Sequence, residues 1–436
     1  MAGPSSAEKD HGRLVTLAVL ALVVGAAAGL IGTVFRLVLE RADTLRDRLI
    51  AWAHGEAVLG FALVVVAGTA AALIAAWLVR RFSPHASGSG IPHVEAVLRR
   101  EVPPAGYILL PVKFVGGVLA IGSGMALGRE GPSVQMGASI AHFVGTMCRC
   151  SWADCRVLMA AGAGAGLATA FNSPIAGAVF VLEELVQRFE HRIAIAALAA
   201  STTAIMVARA FLGSAPDFSV EPLAAVVPQG QPLFIVLGAV AGLLAVGYNR
   251  LLLGAIDLAA RLDRLPLEAR AGLIGAAVAV VTWFAPALVG GGDRITQSTL
   301  SGSVAIAFLP VAFVVRALLG SASYAAGTPG GLFAPLLVLG AQLGLLFGAG
   351  SAAVFPGLGI PPQAFAVVGM AAFFTGVVRA PLTGIVLIIE MTAAFGMLLP
   401  MVGACFAAML VPTLLGDKPI YEALREHPPS RGPKKP

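Results

Sequence analysis

Charge is scarce in this sequence. Asp, Glu, Lys and Arg together supply 12% of 436 residues, against 58% hydrophobic residues. An ordinary soluble domain carries about 25% charged residues. A soluble chain of this length would divide into two or three domains, each with a charged surface, and that reading is excluded. Apolar runs separated by short polar breaks stand in its place, and lipid is the solvent that accounts for them. Cysteine is rare as well, with four in all. Cys148, Cys150 and Cys155 share one polar segment with Arg149, Trp152 and Asp154. No fourth ligand lies nearby at a zinc spacing, so they read as incidental loop cysteines and no metal is expected.

Residues 14–35 and 57–79 each approach the roughly 20 apolar residues that a membrane-crossing helix needs. Further runs fill 107–121, 193–212, 233–247, 271–291, 304–319 and 331–349. Helices are the expected element, because an open strand edge cannot be satisfied in hydrocarbon. The abundance of Gly and Ala suits close helix packing. The first run also has features of a signal peptide, with Lys9 and Arg13 ahead of it, but it continues past an Ala-rich cleavage-like site at 26–28. The net charge of +6 gathers at loops and ends, at Arg80, Arg81, Arg99, Arg100, Arg431, Lys434 and Lys435. That is membrane-flanking charge; it requires no nucleic-acid partner and favours a cytoplasmic tail.

The chain repeats itself. LATAFNSPIAGAVFVLEE (167–184) matches FTGVVRAPLTGIVLIIEM (374–391), pairing Pro174 with Pro381, Gly177 with Gly384 and Glu183 with Glu390, and Gly162 meets Gly369 at the same offset. Upstream, 128–138 matches 331–341, pairing Gly128 with Gly331, Pro132 with Pro335 and Gly137 with Gly340. Two blocks in the same order indicate duplication, the sign of a transporter whose site lies where its halves meet. The expected divisions are 1–13 as a cytoplasmic segment, 14–213 and 233–426 as the repeats, 214–232 as the connection and 427–436 as a basic cytoplasmic tail.

Three Gly/Pro-rich breaks, GSGIP (88–92), GREGP (128–132) and GGLFAP (330–335), each precede helix-compatible apolar sequence. Proline is favoured in a first helical turn, so each break predicts a helix that starts inside the protein. The first amides of a helix lack partners and carry a partial positive charge. Several such starts aimed at one point form an anion site. Partial charges suit an ion that must also leave.

These three breaks, followed by KPIYEAL (418–424), resemble the signature of the CLC family of chloride transporters and channels over about residues 14–426. The resemblance implies an all-α polytopic membrane protein, an inverted repeat of two halves with some eighteen helices, and a homodimer with one pathway per subunit. It implies that Ser89 and Tyr421 supply hydroxyls, and Leu332 and Phe333 amides, to a central chloride, with the amides of Gly88 and Ser89 facing an inner site. It makes Glu130 the gating glutamate and Glu184 the inner proton-transfer glutamate of the exchanger branch. No cofactor is implied beyond the transported chloride. Ser89 and Tyr421 favour chloride over fluoride or nitrate. An acid at position 184 favours chloride/proton antiport over the alternative, a passive chloride channel of the same fold. Only fifteen residues follow Tyr421, so a prokaryotic type without the CBS pair is expected, in the inner membrane.

Plainer roles compete for several of these residues. Glu130 has Arg129 beside it as an ion-pair partner, and Glu184 has both a polar loop and the equally acidic Glu183. Ser89 can serve as a packing residue and Tyr421 as an interfacial aromatic. Glu95 and Lys113, both in apolar surroundings, are expected to pair. An enzymatic reading, with Ser89 as nucleophile, would need a base, and only His85 and His93 are near in sequence.

Overall fold

The computed structural model describes residues 6–223, 225–262 and 264–426. Those residues form seventeen α-helices. The first half comprises α1 (Ser6–Ala53), α2 (Ala57–Phe82), α3 (Ile91–Leu98), α4 (Leu109–Gly122), α5 (Glu130–Met147), α6 (Trp152–Phe171), α7 (Pro174–Phe180) and α8 (His191–Leu212). The second comprises α9 (Gln231–Arg261), α10 (Leu267–Phe284), α11 (Asp293–Leu300), α12 (Leu309–Ala325), α13 (Phe333–Val354), α14 (Pro362–Val378), α15 (Pro381–Thr392) and α16 (Leu398–Leu414). A short α17 (Ile420–Glu426) closes the described chain. The basic residues Arg431, Lys434 and Lys435, and the side chains of Lys9 and Arg13, lie outside the described residues.

Eight helices are long and apolar enough to cross a bilayer. The chain is therefore a multi-pass integral membrane protein. The run at 14–35 does not end there: α1 has 48 residues, about 72 Å at 1.5 Å per residue, and so extends well beyond a bilayer core. The run at 107–121 is a 14-residue helix, too short to span. The run at 271–291 stops at Phe284, where Pro286 follows and disfavours a helical preceding residue.

The eight helices of one half correspond in order to the eight of the other, and their packing corresponds too. α1 packs on α8 and α6, and α9 packs on α16 and α14; α5 packs along α6 as α13 packs along α14. Glycine permits the closest of these approaches. A side chain at Gly137 or Gly162 would collide with the other's backbone, and the same holds for Gly340 and Gly369. At the centre the halves exchange equivalent contacts. Gly128 N donates to Gly331 O at 2.8 Å, and Gly331 N to Gly128 O at 2.6 Å, as an antiparallel pair.

A second reciprocal exchange joins α7 and α15. Glu183 accepts from Leu382 N at 2.9 Å, Thr383 N at 2.6 Å and Thr383 Oγ1 at 2.7 Å. Its repeat mate Glu390 accepts from Ile175 N at 3.1 Å and Ala176 N at 2.8 Å. Each half thus provides the carboxylate that satisfies the open amides at the start of the other half's proline-led helix. Such an exchange requires a two-fold relation between the halves, and it fixes Glu183 as a structural acid. Glu183→Ala is expected to lower stability by about 2 kcal/mol or more, since hydrogen bonds to a charged group contribute about 1.5–3 kcal/mol. The detergent-solubilised protein's thermal midpoint would register the loss, and an unchanged midpoint would contradict it.

Candidate functional site

All three Gly/Pro breaks open helices in the interior. Gly88 and Gly90 have φ of 60° and 84°, a left-handed backbone open to glycine, and they turn the chain into α3 at Ile91. GREGP starts α5 at Glu130, and GGLFAP starts α13 at Phe333. The loops are held against one another by backbone. Gly88 N donates to Thr328 O at 3.1 Å, and Gly330 N donates to Gly88 O at 3.1 Å. The Gly88 amide is therefore already committed to the frame. A Cβ on Gly131 would run into Ser89, so the start of α5 lies directly against the GSGIP loop. Gly131→Ala should displace Ser89, at an overpacking cost of about 1–3 kcal/mol, and should weaken chloride binding measured by calorimetry. Wild-type affinity in that variant would contradict the placement.

Glu130 is 1% exposed. Its carboxyl lies near its own amide and the Ala334 amide, in the first turn of α13. Arg129 does not pair with it. That guanidinium instead reaches Asp293 at 2.8 Å and Asp217 at 3.7 Å, and donates to Ala170 O at 3.0 Å. Arg129 immediately precedes the helix and turns toward α11 and the connecting segment, whereas Glu130 turns inward to the helix starts.

Ser89 and Tyr421 are both fully buried, and their hydroxyls adjoin. Among the described residues neither Ser89 Oγ nor Tyr421 OH has a hydrogen-bond partner of good geometry, although the two hydroxyls face each other, and Glu130 Oε2 is likewise without one. Buried polar atoms ordinarily find partners, so three unpartnered oxygens around one spot mark a place for a further hydrogen-bonding species. Among the described residues the amides of Leu332 and Phe333 have no backbone acceptor outside the helix. The Phe333 ring stands 6.1 Å from that of Tyr421 and 4.7 Å from that of Phe374, with Phe180 and Phe171 completing an apolar wall. Ser89 has no hydrogen bond to either neighbouring histidine: His93 Nδ1 faces Gln135 Nε2 at 3.2 Å.

Two separate cavities reach neighbours of this spot. One, of about 680 Å³, reaches Glu130, Gly128 and Ala334. The other, of about 340 Å³, reaches Gly90, Ser87 and Tyr324. Ser89, Phe333 and Tyr421 line neither. Glu184 is 6% exposed and lies in a π-helical turn, Val181–Leu185, that follows α7. Among the described residues no hydrogen bond holds its carboxyl, and Tyr421 lies within electrostatic range of both Glu184 and Glu130.

The expected Glu95–Lys113 pair does not form. Lys113 donates to Ala86 O at 3.0 Å and Gly88 O at 2.7 Å, and Glu95 pairs with Arg99 at 2.6 Å and Arg425 at 2.7 Å. Glu95 occupies the last turn of α3 and faces α17, whereas Lys113 reaches the loop ahead of the first turn. Two residues of the site were not found by sequence reasoning. Tyr324 offers its hydroxyl to Ser89 N at 3.4 Å. Arg316, 1% exposed, holds Leu288 O at 3.1 Å and Gly290 O at 2.8 Å. Arg316 sits mid-way along α12 and Tyr324 at its end, neither with a flanking motif. An arginine within an apolar run was the available signal, because an intramembrane charge is a functional candidate by default.

Comparison with known proteins bears directly on this geometry. The family model described as voltage gated chloride channel matches residues 71–413. The chain belongs to this family. Among curated CLC relatives, the H(+)/Cl(-) exchange transporter ClcA of Vibrio parahaemolyticus is 37% identical over 93% of this chain and 88% of its own length. ClcA of Citrobacter koseri is 37% identical over 93% of this chain and 87% of its own. A solved CLC structure, a slow cyanobacterial Cl-/H+ antiporter, superposes with a TM-score of 0.91 at 32% identity, covering 95% of this chain and 98% of that one. The CLC fold and its inverted repeat are thus those of this chain.

Proposed function

We propose that this protein is a secondary active antiporter that exchanges chloride for protons, with Glu130 as the group at which the two ions meet. One observation carries the reading: the buried Glu130 carboxyl lies near an amide in the first turn of α13, with the buried Ser89 and Tyr421 hydroxyls close by. A carboxylate and a chloride seek the same donors there. Ionised, Glu130 occupies them and closes the path. Protonated, it loses the charge-assisted attraction and yields to chloride. The central ion would rest on the Ser89 and Tyr421 hydroxyls and the Leu332 and Phe333 amides, and Glu184 would pass protons along a separate route. Relatives named H(+)/Cl(-) exchange transporters favour exchange over a passive channel. Homodimers in a bacterial inner membrane with both termini cytoplasmic complete the proposal.

Purified protein in liposomes provides the test. An outward chloride gradient should drive protons uphill, and the reversal potential should follow pH as well as chloride. A reversal potential set by chloride alone would replace the exchanger with a channel.

A further inference from the structure

We infer that the Glu95–Arg425 ion pair is a positioning clamp that holds the Tyr421 hydroxyl at the anion path and thereby keeps chloride and proton movement coupled. The inference rests on the reading of Tyr421 as an anion ligand. Tyr421 rides on α17, which has only seven residues. A helix that short has no stability of its own, so its position is set by what grips it. The approach to α17 is gripped by Asn249, which donates to Asp417 Oδ2 at 2.8 Å, and by Arg379, which donates to Asp417 O at 3.2 Å. The far end is gripped by Arg425. Its Nη1 meets Glu95 Oε1 at 2.7 Å, and its Nε lies 3.8 Å from Glu101.

Glu95 is 2% exposed and sits in the helix that follows Ser89. Arg425 lies four residues after Tyr421, one turn along the same helix face. The clamp therefore ties the helix that carries one unpartnered hydroxyl to the helix that follows the other. A buried charge pair on such short elements fixes geometry more than it adds stability.

Arg425→Ala is the informative variant, because Glu95 keeps Arg99 at 2.6 Å and no buried carboxylate is left without a cation. In liposomes this variant is expected to pass chloride at near the wild-type rate, while the protons moved per chloride fall by roughly threefold, the scale of a lost coupling between contacting residues. Arg425→Lys, which keeps the charge, should recover most of the ratio. A wild-type ratio in Arg425→Ala, alongside a lowered ratio in Tyr421→Ala, would overturn the clamp and leave the tyrosine's role standing. A wild-type ratio in Tyr421→Ala would overturn the reading beneath it. Lowered thermal stability with an unaltered ratio would make the pair structural only, and would also refute the inference.

Discussion

Glu130→Gln is expected to abolish coupled proton movement while chloride continues to cross. Glutamine keeps nearly the shape of glutamate but neither carries a charge nor takes up and releases a proton. The carboxyl at 130 lies near its own amide and that of Ala334, and the neutral amide side chain would compete weakly for those donors. Chloride would then hold the helix starts without a rival, and nothing at the site would register proton concentration. In liposomes, proton uptake driven by a chloride gradient should fall to background, with the reversal potential following chloride alone. Uphill proton pumping by this variant would remove Glu130 from the mechanism. The fold should survive the change, because Arg129 is balanced by Asp293 and Asp217 and does not depend on Glu130.

What the sequence disclosed, and what it concealed, divides along a physical line. Hydropathy located helices that face lipid, such as α2 and α8, because exposure to hydrocarbon demands strongly apolar side chains. It passed over α6. That helix is the Gly/Ala-rich stretch AAGAGAG, buried along its length, where small residues serve backbone contact and add little hydropathy. The duplicated Gly and Pro positions found that region instead, since Gly162 and Gly369 occupy equivalent close approaches. The three helix starts were legible for the same reason: glycine turns and first-turn prolines leave a local mark. Long-range partners leave none. Glu95 and Arg425 lie 330 residues apart, so no local spacing could have exposed the pair, and shared apolar surroundings suggested Lys113.

The two adjacent acids at the end of α7 give the second large effect. The family resemblance assigns proton transfer to Glu184, and the pairing of Glu183 with Glu390 in the repeat points to a structural first acid. The hydrogen bonds at Glu183 agree with the structural role. Glu183 accepts from two amides and a hydroxyl at the start of α15, and a proton there would remove the acceptors that the helix needs. Glu184 has no such duty, sits buried in the π-helical turn, and lies within electrostatic range of Glu95, Arg99 and Glu422. Extra residues in a π-turn re-aim side chains that an unbroken α-helix would stack on one face, which is why such turns recur at functional positions. Glu184→Gln is therefore expected to bring proton transport to background while chloride flux persists and thermal stability stays near wild type. Glu183→Gln should show the reverse pattern, a loss of stability with coupling retained in the fraction that folds. Parallel liposome fluxes and melting curves separate the two, and retained proton coupling in Glu184→Gln would transfer the proton route to another acid.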